Sequence, residues 1–362
     1  MKLFDVAIVG GGPAGSSCAA FCALAGLRTL ILEREKFPRE KVCGDCLNPA
    51  CWPVLRRLGI VERVRELPHG TLDTVEFIAT DGRNIVVDLA SDEESEIAVK
   101  RSLFDDLLLR RAGALGAHIC EETTVSALSK RADNGGWRIE TAGGKIFGAE
   151  TLVGADGRNS TVARLCNLLP RPSRERIALQ AHIPLPTDFG NRVVLQFLPE
   201  GYSGQAPVNH AELNLCLVSK PSNIPALRRW AEKQFSLQRD HQWRTITPLT
   251  RAALAPAREK FFLVGDAARV IEPFTGEGIY YALRSGELAA QALVKIIHGN
   301  DSGDPVTEYT EAHAAMYRGR LWVNRLSRSA VLAPRFASLF VHLARVQPSI
   351  LRLLTAKIVT SN

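Results

Sequence analysis

Two rhythms of apolar and polar residues divide this chain. Val6 to Val9 is an unbroken apolar run, as expected for a parallel strand buried on both faces. Small and apolar residues at helical spacing predict a helix over Pro13 to Leu24, with Gly26 placed to stop it, and Arg28 to Glu33 reads as a second strand. A helix is predicted from Pro53 to Leu58, ended by Gly59. The rhythm then changes to strict alternation at Thr74 to Ile78 and Asn84 to Leu89, which predicts antiparallel strands of another sheet. Arg101 to Leu115 reads as an amphipathic helix with Leu103, Leu107, Leu108 and Ala112 on one side. His118 to Cys120 is the next strand, followed by a meander over Thr123 to Leu128, Trp137 to Glu140 and Ala149 to Val153.

Strand-like pieces at Ile177 to Ile183, Val193 to Leu198 and Glu212 to Val218 come next, with a helix from Ala226 to Phe235. Phe261 to Val264 restores the buried-strand pattern and feeds a long helix from Gly278 to Ile297. Residues 306–362 read as wholly helical; Arg345, Pro348, Arg352 and Lys357 break their apolar stretches too often for a bilayer span. Packing against the rest of the chain is expected for them, with contact to a membrane surface as the alternative. The expected division is a discontinuous cofactor domain (1–70, 100–165 and 256–300), a substrate domain (71–99 and 166–255) and C-terminal helices (301–362). The fold class is α/β (α+β): a Rossmann-type cofactor domain with an inserted antiparallel β-sheet substrate domain and a C-terminal helical segment.

Composition changes this picture little. The 362 residues are 46% hydrophobic and 23% charged, ordinary for a folded chain large enough for two domains. A formal charge of +7 is spread without a basic block, so an anionic cofactor explains it better than nucleic acid does. No signal peptide is visible, and cytoplasmic residence is the default expectation. The eight cysteines then read as free thiols, and Cys43-Gly-Asp-Cys46 lacks the second pair that a zinc site needs, so no metal is expected.

The specific chemistry begins at Gly10-Gly-Gly12-Pro13-Ala14-Gly15, between the first strand and its helix. Gly10 makes the tight turn, Gly12 lets a pyrophosphate approach, and Gly15 lets helix and strand touch. The helix opening at Pro13 and Ala14 offers free N–H groups and a positive dipole end. Glu33, eighteen residues beyond Gly15, ends the second strand where a carboxylate accepts bonds from a ribose, with Arg34 beside it. A dinucleotide is therefore expected. Asp266 ends an apolar strand after Gly265, at the carboxyl edge where open sheets bind ligands. Pro273 to Gly278, including Gly276 and followed by Ile279, is a tight loop feeding a helix N-terminus that favours negative charge. Arg39 and Lys41 are cations placed to neutralise phosphate, or ordinary surface charges.

Gly154-Ala-Asp156-Gly157-Arg-Asn-Ser160, Gly265-Asp266-Ala-Ala and Glu272-Pro273-Phe-Thr-Gly276-Glu-Gly278-Ile resemble, in order, the motifs of flavoproteins sharing the p-hydroxybenzoate hydroxylase fold. Lys41-Val-Cys43-Gly-Asp45 and the run from Thr275 to Ala290 are most similar to the geranylgeranyl reductase family. The resemblance implies FAD as the bound dinucleotide and NAD(P)H as a transient reductant. It also implies that Asp266 meets the ribityl hydroxyls, that Asp156 and Gly157 support the flavin and the nicotinamide region, and that Arg101 points toward FAD. By the same resemblance Val125 packs its backbone on the adenine and Cys43 lies beside the flavin, where its thiol donates a proton, forms an adduct or is inert. Cys46 adds the option of a redox pair.

The resemblance implies an oxidoreductase acting on a hydrophobic small molecule in an apolar pocket. Reduction of carbon–carbon double bonds in an isoprenoid-like compound is the first expectation. Hydroxylation of an aromatic or polyketide-derived compound by a flavin monooxygenase is the second, and a non-redox FAD scaffold the third. Prenyl reductases carry a Tyr-x-Trp-x-Phe-Pro-like segment, of which Glu200 to Pro207 keeps only Tyr202 and Pro207, and the Gly-Trp-x-Trp-x-Ile-Pro segment of halogenases is missing. Tyr202, Glu277, Tyr280 and Tyr281 are polar groups within plausible reach of a ring.

Overall fold

The computed structural model describes residues 2–90, 94–132, 135–170, 176–271, 276–299 and 303–318. Elements are numbered in chain order. The first sheet is built on β1 (Lys2–Val9), β2 (Thr29–Leu32), β8 (His118–Cys120), β11 (Ile146–Gly154) and β18 (Phe261–Leu263), with β9 (Val125–Lys130), β10 (Trp137–Thr141) and β17 (Ala257–Arg258) added to it. Its order is β17-β18-β11-β1-β2-β8, and β1 lies parallel to both β2 and β11. The apolar run of β1 is buried on both faces because side chains alternate. Val6 and Ile8 enter the cluster under α1 (Pro13–Leu24), α4 (Arg101–Ala114) and α7 (Gly278–His298), while Ala7 and Val9 enter the cluster under the β9–β10 meander.

The second sheet has the order β16-β12-β15-β14-β13-β5-β6. Its strands are β5 (Thr74–Ile78), β6 (Asn84–Asp88), β12 (Ile177–Pro184), β13 (Arg192–Leu198), β14 (Gly201–Pro207), β15 (Glu212–Ser219) and β16 (Arg244–Ile246). One face carries Leu179, Ala181, Ile183, Leu213, Leu215 and Leu217 and packs under α6 (Ile224–Gln234). A third, small sheet, β3 (Cys46–Leu47), β7 (Ile97–Val99) and β4 (His69–Thr71), lies against β14. There a Cβ at Gly70 would come within 1.9 Å of the Pro207 carbonyl oxygen. The remaining helices are α2 (Trp52–Arg57), α3 (Val61–Arg65), α5 (Thr161–Leu165) and α8 (Pro305–Met316).

Two features differ from the sequence expectation. The helix α4 is not a one-sided amphipathic helix: Arg101, Ser102 and Asp105 are buried with Phe104 and Leu107 to Leu109, because an ion pair lets charge enter the interior. Gly201–Pro207 is a strand despite its glycines and proline, held between β13 and β15 in continuous antiparallel register. The helical reading of residues 306–362 is met by α8, and residues 319–362 lie outside the described residues.

Candidate functional site

The glycine-rich turn follows β1 and admits no side chains at two positions. Gly10 has φ +107°, and a Cβ there would lie 2.5 Å from the Ala155 carbonyl oxygen; at Gly15 it would lie 1.9 Å from the Gly10 oxygen. Gly12 is the N-cap of α1 and Pro13 its first residue, with no side-chain cap and no acid in the first turn. The helix therefore keeps its N–H groups and positive end for a ligand. Ala14 fixes the angle of this helix. A Cβ on Gly286 of α7 would sit 2.4 Å from the Ala14 carbonyl oxygen, so the two helices touch backbone to backbone. The Ser17 hydroxyl donates to the Leu283 carbonyl at 2.9 Å across the same contact.

Glu33 is buried behind this turn. Its Oε2 accepts from the Gly11 N–H at 2.6 Å and its Oε1 from the Glu35 N–H at 2.9 Å, which leaves further lone pairs on both oxygens for hydroxyl groups. Arg34 points outward and pairs with Glu35 at the surface.

Cations converge on the other side. Arg101 is buried and bidentate to Asp105 at 2.7 and 2.8 Å, and Asp105 also accepts from Arg39 Nη1 at 2.7 Å. The second Arg39 nitrogen lies 3.6 Å from where a Gly12 Cβ would be, and Lys41 Nζ lies 3.9 Å from the same position of Gly157. Arg158 pairs with Asp266 at 3.0 Å and donates to the Pro248 carbonyl. Burial, followed by the charges of Arg101, Arg158 and Arg39, lowers the Lys41 ammonium to about 8. Arg39, Arg101 and Arg158 pair with the carboxylates of Asp105 and Asp266, and Lys41 adds a fourth cation that pairs with neither, an excess that an anion would relieve.

Asp266 sits in the turn after β18, where Arg251 Nη2 donates to both the Asp266 and Ala267 carbonyls at 2.7 Å. Gly265 adopts φ +56° and donates its N–H to Ser285 Oγ on α7 at 2.8 Å. Asp156 Oδ2 accepts from the Val162 N–H at 3.0 Å and so anchors the start of α5, while its buried Oδ1 has no partner; burial raises its proton affinity. Val125 is buried in the cluster beneath the meander. Gly276 has φ +68°, Gly278 opens α7, and Ile279 is buried; Pro273 lies outside the described residues.

The Cys43 loop is fastened to the second sheet. The Cys43 carbonyl accepts from Asn214 Nδ2 at 2.8 Å and from the Cys216 thiol at 3.3 Å. Asp45, at φ +63°, is tied inward: its Oδ2 meets His182 Nε2 at 2.7 Å, and its backbone oxygen accepts from the Val99 N–H. Burial raises the Asp45 carboxyl against the opposing pull of His182 and Arg101. Cys46 is raised well above the ordinary thiol range by burial and by Glu96, which disfavours the thiolate a redox pair with Cys43 would use.

The sheet face toward this loop is mixed rather than wholly apolar. Gln180, His182, Asn214 and Cys216 form a central polar patch, beside which Val42 of the loop packs on Ala178, Phe197, Tyr202 and Val218. Tyr202 is thus a packing residue; Tyr281 stacks on Tyr317 at 4.5 Å, with Tyr280 tilted against it, and Glu277 is buried. Sequence reasoning missed Gln180, His182, Asn214 and Glu96. The first two carried a signal, as polar residues at alternate positions of an otherwise apolar strand. Glu96 carried none, since it ends the acidic run Asp92-Glu-Glu-Ser-Glu96 and looks like a solvated charge.

An uncapped helix start, a side-chain-free turn, a ribose-ready carboxylate and surplus cations together fit a long anionic dinucleotide. At 28% identity over 339 residues the chain is similar to conditioned medium factor receptor 1 of Dictyostelium discoideum, covering 83% of this chain and 65% of that protein. It is 29% identical over 340 residues to a menaquinone reductase of Mycolicibacterium smegmatis (85% and 78% of the two chains). A digeranylgeranylglycerophospholipid reductase of Methanocaldococcus jannaschii is 27% identical over 335 residues (85% and 81%). The myxobacterial chondrochloren halogenase, a FAD-dependent enzyme, shares the fold with a TM-score of 0.79 at 22% identity, covering 98% of this chain and 90% of that one. The FAD binding domain model matches residues 4–188, just over half of the chain, and the protein accordingly belongs to that family of FAD-dependent oxidoreductases and monooxygenases.

Proposed function

We propose that the protein is an NAD(P)H-reduced flavoenzyme that saturates double bonds of a hydrophobic, isoprenoid-like compound. The strands of the first sheet with α1, α4 and α7 hold the cofactor, and the second sheet covers the substrate side. In this reading Gly10, Gly12, Pro13, Ala14 and Gly15 cradle the diphosphate with Arg39 and Lys41, and Glu33 takes the ribose. Arg101, Val125, Asp156, Gly157, Gly265 and Asp266 line the path of the cofactor, and Gly276, Gly278 and Ile279 meet its ring edge. When bound, FAD supplies hydride transfer.

One observation carries the reading: proton-bearing groups crowd the Cys43 loop, with Asp45 buried against His182 and raised in proton affinity. Reduction of a double bond needs a proton as well as a hydride, and this chain's residues can hold one there. The names of the menaquinone and phospholipid reductases among the relatives support the same direction.

Hydroxylation is the second reading, supported by the fold shared with a halogenase, whose flavin chemistry also differs from simple reduction. FAD-loaded protein is reduced anaerobically with NADPH in the presence of geranylgeraniol or a phenol, air is admitted to a parallel sample, and product masses are compared. Gain of a hydrogen pair without oxygen is expected. Gain of an oxygen atom only in air replaces the reductase reading with the hydroxylase one, and failure of NADH and NADPH alike to bleach the flavin ends both in favour of a scaffold.

A further inference from the structure

Glu96 is a carboxylate that the cofactor motifs do not use. It stands immediately before β7, the strand that leads through Lys100 into Arg101, the buried arginine that opens α4 at the cofactor site. Its Oε1 lies 4.0 Å from the position a Cβ would take on Gly276, and the Cβ of Cys46 lies 3.9 Å from the same point. It therefore faces the space between the Cys43 loop and the glycine turn that opens α7. β3 pairs with β7 at Cys46↔Ala98 and Leu47↔Ile97, and one further step of that register sets Asn48 opposite Glu96. Asn48 brings a buried side-chain amide nitrogen that finds no acceptor among the described residues.

Charges do not neutralise Glu96. Among the described residues no ion pair or hydrogen bond to it forms, and desolvation alone pushes its carboxyl up to about 7. The titratable groups packed against it are the thiols of Cys46 on β3 and Cys51 in the following turn; its charge raises both, as burial does. Glu277 precedes α7 next to Gly276 and is also an acid, and among the described residues no cation pairs with Glu96.

We propose that Glu96 is a second proton-carrying residue of this site beside the Asp45–His182 pair, a carboxylic acid kept at the α7 end of the cofactor cleft to complete double-bond reduction. This rests on the reductase reading above. In the step, the carbon–carbon π bond breaks, hydride from the NAD(P)H-reduced flavin forms one new C–H bond, and the Glu96 proton forms the other. The flavin ends oxidised, and the Glu96 carboxylate recovers its proton from water. A group that titrates at the turn opening α7 would also couple its proton to the charge of a cofactor held there.

The test is the midpoint potential of bound FAD as a function of pH in wild type, Glu96→Gln and Glu96→Asp. Wild type is expected to show a change of slope near neutrality beyond the one that the reduced flavin's own N1 proton gives; Glu96→Gln, which cannot titrate, keeps only the flavin's, and Glu96→Asp, which keeps a carboxyl, retains a displaced additional one. Retained yellow colour in each variant reports folding independently of turnover. Superimposable profiles for wild type and Glu96→Gln overturn the assignment while leaving the cofactor reading standing. Wild-type protein that stays colourless after incubation with FAD overturns the cofactor reading and this assignment together.

Discussion

His182 and Asp45 meet at 2.7 Å although 137 residues separate them, and both side chains are buried. The contact crosses from the second sheet to the Cys43 loop and holds that loop at its left-handed Asp45. Truncation of His182 to alanine leaves a buried acid without its partner, an event that costs about 3–5 kcal/mol when a buried pair is broken from one side. His182→Ala is therefore expected to lower the urea midpoint sharply. Asp45→Asn in the same chain removes the orphaned charge, so the double variant should be more stable than the sum of the single losses predicts. Strict additivity in equilibrium unfolding would count against the pair.

Lys41 makes cofactor affinity depend on pH. Its ammonium, lowered to about 8 by burial and by Arg101, Arg158 and Arg39, is charged below that value and increasingly neutral above it. A diphosphate placed among these cations raises the lysine's proton affinity, so binding takes up a proton and weakens as pH rises through 8. Flavin fluorescence quenching between pH 7 and 9 should show the decline in wild type, and a much flatter, weaker profile in Lys41→Met. A wild-type affinity that is constant over that interval contradicts the assignment of Lys41 to the phosphates.

His313 makes stability depend on pH in a different window. It is buried between Tyr309 and Tyr317, and burial followed by the Arg269 charge lowers its imidazole from 6.5 to about 4. The unfolded chain then takes up a proton that the folded chain refuses. Stability is full above the unfolded value and is lost as pH falls from 6.5 toward 4, by up to roughly 3 kcal/mol at 1.36 kcal/mol per unit. His313→Asn should lose that slope in urea unfolding at pH 4.5 and 7, whatever its absolute stability. An unchanged slope would assign the acid sensitivity to other groups.

The cofactor side of the fold was legible because its signals are local. The turn at Gly10 to Gly15, the helix over Pro13–Leu24, the acid at Glu33 and the long helix from Gly278 all follow from short-range pattern and agree with the structure. What escaped depends on distant partners. Gly201–Pro207 is a strand only because β13 and β15 flank it, and Arg101 is interior only because Asp105 lies one helical turn away. Glu96 looked like solvent-facing charge, and only the packing of Cys46 and Gly276 around it turned it inward.

The parallel pairing of β5 with β13, residues 74–78 against 192–196, has a practical reach. Each large sheet waits for chain that is made late: β11 needs β18, and β5 needs β13. A ribosome that has released only residues 1–188, ending where the match to the family model ends, presents unpaired edges on both sheets. Such edges recruit other chains. Excising that segment as a minimal flavin module should therefore yield inclusion bodies.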